Sequence, residues 1–200
     1  MHDSIHCMTA SKYNEIPHID DQPFLTTSEL IGIGELLVKH EAEGDFGVHL
    51  LHRHFEIHDD TVMFNFSDGG NQYSAMTSVS DLNSDQIQPS TFLLGVDDDF
   101  TSYEYCYLPK PCSIPEPLAS ELALHIRTKG LQSFVGIERL NRGELDGIWE
   151  ELPHNAYSTY RTRVTQEDRK DAGKPTAWAF GKGEDGEIRV QVTCSWRSHC

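Results

Sequence analysis

Most of this chain is written in short runs that alternate apolar and polar residues, each closed by turn-forming residues. That pattern confines it to a β-rich fold. Such runs lie at Gly47 to His58, Thr61 to Phe66, Gln72 to Val79, Thr91 to Val96 and Ser102 to Leu108. A second series lies at Phe134 to Leu140, Ile148 to Leu152, Tyr157 to Val164, Thr176 to Phe180 and Glu187 to Trp196. Asp59-Asp60 and Ser67-Asp68-Gly69-Gly70-Asn71 fall where hairpin turns are needed. Each series follows a stretch of helical character. From Ser28 to Glu43, Leu30, Ile33 and Leu37 recur three or four residues apart, with Thr26 or Ser28 as cap and Gly44 as the left-handed stop. Gly32 and Gly34 weaken that helix by about 1 kcal/mol each relative to alanine. The second helix is expected over Glu116 to Lys129, ending at Gly130, after a proline-rich stretch from Pro109 to Pro117 that reads as a linker.

The order helix, glycine, strands therefore occurs twice. Gly47-Val48-His49-Leu50-Leu51-His52-Arg53 aligns with Gly136-Ile137-Glu138-Arg139-Leu140-Asn141-Arg142 at glycine, a β-branched residue, leucine and arginine. The expectation is a β-rich α+β protein, a mainly antiparallel sheet with two helices. It would be one domain over 26–200, either undivided or built as pseudo-symmetric halves, 26–108 and 116–200. Residues 1–25 lack periodicity and read as a loosely ordered lead-in.

Composition narrows the function classes. Acidic residues number 32 against 16 basic ones, a net charge of −16 that repels phosphate backbones and disfavours nucleic acid as a partner. No apolar run reaches the length of a membrane span, and the start lacks the pattern of a secretory signal, so a cytoplasmic protein without membrane contact is expected. The five cysteines, Cys7, Cys106, Cys112, Cys194 and Cys200, are odd in number and widely spaced, which reads as free thiols. Gly32-x-Gly34 lacks a third glycine, and there is no Walker loop or G-x-S-x-G elbow, so no nucleotide cofactor is expected.

The chemistry concentrates in one segment. Four of the eleven histidines, His49, His52, His54 and His58, fall within ten residues. On a strand, side chains alternate, so His52, His54, Glu56 and His58 would share one face and His49 the other. Imidazoles two residues apart can converge on one divalent ion, and Glu56 as third ligand would favour zinc or iron. Three readings stay open. His52 and His54 hold a metal, with Glu56 or His58 completing the set; or His52, His54, Glu56 and His58 act as acid–base groups without one; or the histidines do nothing specific on a polar strand. The first two describe a small-molecule enzyme of lyase, isomerase or cyclase type. The alternative function is a non-catalytic acidic binding protein whose histidine cluster responds to pH. Nothing in the sequence bears on oligomeric state.

The paired helix-plus-strands order resembles vicinal-oxygen-chelate folds, which implies a metal in a β-lined cup. The cupin pattern is not met, because Glu56 stands too close to His54. Elsewhere, Tyr103, Tyr105 and Tyr107 would line one sheet face and could wall a substrate pocket or simply pack. Asp97-Asp98-Asp99 reads as a solvated turn rather than a calcium loop. Glu144, Asp146, Glu150 and Glu151 around Trp149 could offer a carboxylate across a cleft, and Cys194 faces the core of the last strand.

Overall fold

In the computed structural model, which describes residues 8–83, 85–108, 113–140, 148–164 and 173–197, the alternating runs become ten strands that close into one barrel. The strands are β1 (Phe46–Leu50), β2 (Thr61–Asp68), β3 (Asn71–Ser78), β4 (Ile87–Leu94), β5 (Phe100–Tyr107), β6 (Val135–Arg139), β7 (Ile148–Asn155), β8 (Ser158–Val164), β9 (Lys174–Lys182) and β10 (Ile188–Trp196). Their order around the barrel is β1-β6-β4-β5-β2-β3-β8-β7-β10-β9. Three α-helices accompany them among the described residues: α1 (Ala10–Asn14), α2 (Thr27–Lys39) and α3 (Glu116–Thr128). No helix among the described residues is long and apolar enough to cross a membrane.

This corrects the expected α+β fold with a mainly antiparallel sheet and two helices. The structure is a closed, mixed β-barrel with three short helices, and β2 runs parallel to β5 as β7 does to β10. Closure leaves no free sheet edge. Nor is it an open β-lined cup. The physical reason the alternation misled is that it marks two faces but does not say what covers each. Here the inner face is covered by the barrel's own far wall.

Strand order repeats across the molecule. The two series meet where β3 pairs with β8, Tyr73 opposite Tyr160, and where β1 and β6 pair with each other, Val48 opposite Ile137, each also pairing with a strand of the other series, β1 with β9 and β6 with β4. Both glycines that open the aligned segments are required by close approach: a Cβ on Gly47 would lie 2.5 Å from the Trp178 carbonyl oxygen, and one on Gly136 2.9 Å from that of Phe92. Helix ends are tighter than expected. Glu29 accepts from the Thr26 backbone N–H at 2.6 Å, starting α2, while Glu41 (φ 54°), not Gly44, takes the left-handed position after it.

The main apolar core lies outside the barrel. Leu30, Ile33 and Leu37 of α2 and Leu118, Leu122 and Ile126 of α3 pack on Val48, Ile137, Phe92, Trp178 and their neighbours. Gly34 lets α2 settle on Phe180 and Ile188, so the weak helix formers serve packing. Residues 8–25, expected as a loose lead-in, are structured: Tyr13, Ile16 and Ile19 are buried, and the segment closes one end of the barrel with Leu51, Ile57, Met63 and Tyr103. Ile114 packs on the main core, while Pro109 and Pro111 of the expected linker lie outside the described residues.

Candidate functional site: a histidine–carboxylate cluster inside the barrel

The inner face is polar. His49, Asn65, Ser74, Thr91, Glu104, Glu138, Glu151, Thr159 and Arg161 come from eight strands, and most are buried. Burying so many polar groups is tolerable only if they bond one another.

The histidine segment departs from the expected strand. β1 ends at Leu50, and residues 51–60 cross the end of the barrel as irregular chain. The cause is local bonding to the N-terminal segment. The Arg53 N–H donates to the Pro17 carbonyl at 3.0 Å, Asn14 brackets Ile57 by two 2.9 Å bonds, and the His54 N–H reaches the Tyr13 hydroxyl at 3.3 Å. Side chains therefore do not alternate as on a strand. His49, expected on the opposite face from His52, stacks on it with ring centroids 4.9 Å apart, and His54 meets His52 edge-on at 4.8 Å. Glu56 and His58 are exposed; Glu56 lies 3.9 Å from Arg53 and takes no part in the cluster. Both are removed from the candidate site.

Carboxylates from distant strands take their place. His54 donates from Nε2 to Glu104 at 3.0 Å, while its Nδ1 lies 2.9 Å from Glu151 but out of line for a hydrogen bond. Glu104 also accepts from Asn65 (3.1 Å) and Thr91 (2.9 Å). Glu151 accepts from Thr159 (2.8 Å) and Arg161 (3.3 Å). His52 donates from Nδ1 to the Leu50 carbonyl at 2.6 Å, which leaves Nε2 as a bare acceptor, fully buried and without a partner. His49 Nδ1 and the Tyr103 hydroxyl bond at 2.6 Å, and His49 Nε2 is likewise buried without a partner.

These contacts set the charges. Burial pushes His49 down to about 4 and His52 well below the ordinary imidazole value. Burial pushes His54 the same way, but Glu151 and Glu104 outweigh it and hold this ring up at about 9. Burial likewise opposes ionisation of Glu104 and Glu151, yet His54 keeps both low, with Arg161 adding to the effect on Glu151. The cluster thus holds a cation between two carboxylates, with two neutral imidazoles beside it.

Ligand atoms of His52, His54 and Glu151 all lie within 4.8 Å of one another, a grouping of two imidazoles and one carboxylate. Glu151, not Glu56, is the carboxylate of that set. Among the four acids around Trp149, position on β7 selects it: Glu151 faces inward, whereas Glu150 pairs with Arg197 at 2.9 Å, and Glu144 and Asp146 lie outside the described residues.

Sequence reasoning did not single out Glu104 or Arg161. The readable signal for Glu104 was an acid set between two tyrosines on an alternating run. The tyrosines themselves do not share one role: Tyr103 bonds His49, Tyr105 packs with Val62, Phe64 and Ile87, and Tyr107 is exposed. An irregular register beside Thr91 on β4 and β5 brings both Tyr103 and Glu104 to buried positions near the cluster. Cys194 is buried, with its thiol pushed up to about 12 by burial, which leaves it inert. Asp98 pairs with Arg127 rather than standing in solvent alone.

A cavity of about 360 Å³ opens into the barrel, and Glu104, Glu138 and Arg161 are among its lining. Two of these touch the cluster directly, Glu104 through His54 and Arg161 through Glu151. Comparison with family models, with curated proteins and with solved structures finds no match for this chain.

Proposed function

We propose that this chain is a small-molecule enzyme of the lyase or isomerase type that holds a divalent metal ion, zinc or iron(II), on His52, His54 and Glu151. One observation carries the metal: His52 Nε2 is a lone-pair nitrogen, fully buried, with no hydrogen-bond donor, and it faces two other ligand-type atoms. An unpartnered polar atom at that depth costs about 1–3 kcal/mol unless something binds it. The surroundings fit an ion. His52 is oriented by a backbone carbonyl and His54 by Glu104, the outer-shell arrangement that fixes the tautomer of metal-bound imidazoles. Two imidazoles and one carboxylate suit zinc or iron(II), and such an ion polarises oxygen atoms or makes bound water acidic.

Glu104 supplies the link to substrate. It lines the cavity and is held in place by the His54 N–H, so it can itself take a proton from a molecule in the cavity. Arg161 does the complementary work, placing positive charge at the cavity floor while bonding Glu151.

A second reading rests on a separate observation: without metal, His54 is an imidazolium between two carboxylates, able to pass a proton to Glu104. A pH-sensitive surface gains no support, since His49, His52 and His54 present almost no area to solvent. Metals per chain, measured on untagged wild type and on His52→Ala, separate the readings. Near-stoichiometric zinc or iron lost in the variant is the expected result. A well-folded wild type that takes up no added metal, with His54 ring nitrogens showing a cation by ¹⁵N NMR at pH 7.5, would replace the metal with the proton relay.

A further inference from the structure

Arg161 stands at the cavity with part of its donor set unused. Its Nε bonds Glu151 at 3.3 Å, and its two Nη groups have no hydrogen-bond partner among the described residues. The side chain keeps 14% of its surface exposed, and neither Nη is among the sealed, unpartnered atoms of the interior. Both are therefore open to the cavity that Arg161 lines. A guanidinium with free, reachable N–H groups in a fixed fork matches the geometry of a carboxylate.

Phe66, Tyr73, Tyr107, Leu108 and Leu140 supply the apolar share of the lining. A partly apolar wall with a few fixed polar groups takes a molecule that has an apolar body and one polar end. Glu104 and Glu138 line the same space, so the charge of that end follows from a count. With the proposed ion in place, His54 is a neutral ligand. Glu104, Glu138 and Glu151 then carry three negative charges, against two on the ion and one each on Arg139 and Arg161. Arg139 belongs in that sum because it lines the cavity with its Nη1 buried and without a partner. One positive charge is left over, and an excess charge away from water is costly. A single carboxylate cancels it. A phosphate monoester overshoots, and an amine adds to it.

We propose that the barrel cavity binds a small carboxylic acid as its monoanion, with the carboxylate on the Nη groups of Arg161 and an apolar body against the apolar share of the lining. At about 360 Å³ the space lies near the lower end of ligand cavities, which restricts the occupant to a small molecule. This deepens the small-molecule reading and rests on it. Arg161 supplies the contact, and the metal supplies the leftover charge.

The test keeps the body constant and changes the charge. Phenylacetate, phenyl phosphate, phenethylamine and phenethyl alcohol are titrated calorimetrically into the full chain, zinc-loaded and chelator-treated, with metals per chain measured on the same samples. Zinc-loaded wild type should bind phenylacetate roughly tenfold more tightly than the other three, and more tightly than chelated protein does. Arg161→Met should weaken phenylacetate roughly ten- to a hundredfold, the range for hydrogen bonds to a charged group, and leave the alcohol unchanged. Should that variant fail to fold, Arg161→Lys keeps the charge without the fork and should still lose roughly tenfold. Ser67→Trp, which fills the cavity from an exposed strand end, should abolish binding with metal content intact. A zinc-loaded protein that binds none of the four, prefers the amine or the phosphate, or fails to tell the acid from the alcohol overturns the proposal and leaves the metal in place. Phenylacetate bound through Arg161 by a protein that takes up no zinc defeats the metal and leaves the carboxylate site standing. No zinc and no binding overturns both.

Discussion

The same barrel wall has two buried faces that are held in opposite ways. Outside, α2 and α3 cover β1, β4, β6 and β9 with side chains such as Ile33, Leu122, Val48 and Ile137, all fully buried. Inside, the wall buries His49, His54, Glu104 and Glu151 to the same degree, against one another. Dispersion and water exclusion hold the outer face, and these are tolerant of detail. The inner face depends on each charged group keeping its partner, because a buried charge left alone is worth several kcal/mol against the fold. Stability is therefore spread along the helices but concentrated in a few atoms within the lumen, where the chemistry also sits.

The largest expected effect tests the inner face. Glu151→Ala strips His54 and Arg161 of a shared carboxylate and should cost about 3–5 kcal/mol in urea unfolding. Added zinc should restore nothing, because the same residue is a proposed ligand. Leu122→Ala, on the outer face, should lose about 2–5 kcal/mol through the cavity it leaves. Zinc should recover part of that loss, about 2.7 kcal/mol at a hundredfold excess over its dissociation constant. Equal responses of the two variants to zinc would break the distinction between the faces.

Acid should act on the inner face through His49. In chelator-treated protein, burial holds His49 down to about 4, while the unfolded chain takes up its proton near the ordinary value of 6.5. A lowered histidine stabilises the fold fully above 6.5 and loses that contribution as pH falls toward 4, a loss on the order of 3 kcal/mol. His49→Gln should flatten that part of the curve of urea midpoint against pH. A slope identical to wild type would show that His49 is not the group responsible. The smallest effect is expected from Gly47→Ala. Its Cβ would meet the Trp178 carbonyl at 2.5 Å and push β1 from β9, costing about 1–3 kcal/mol in thermal unfolding without altering metal content.

Much of the secondary structure was legible because it depends on neighbours in sequence. Leu30, Ile33 and Leu37 mark one face of α2, and Ile188, Val190 and Val192 mark the alternation of β10, with no knowledge of what they pack against. The histidine pair was legible as well, since His52 and His54 stand close in the chain and imidazoles are rare enough to notice. Glu56 and His58 were placed beside them by the assumption that the strand continued past Leu50. Bonds from Pro17, Asn14 and Tyr13, more than thirty residues earlier, end it there.

What the sequence determined by itself was therefore local: the strand and helix segments, their repeated order, an acidic surface charge, and a concentration of imidazole near residue 52. Tertiary structure alone decided that the sheet closes, that its inner face is polar, and that Glu104 and Glu151 rather than Glu56 complete the cluster. Those two glutamates lie 50 and 97 residues from His54, and in sequence they look like any other acids of a chain that carries 32. Position on a strand gives a side chain its face. Only barrel closure decides which distant faces meet, because closure is a property of all ten strands at once.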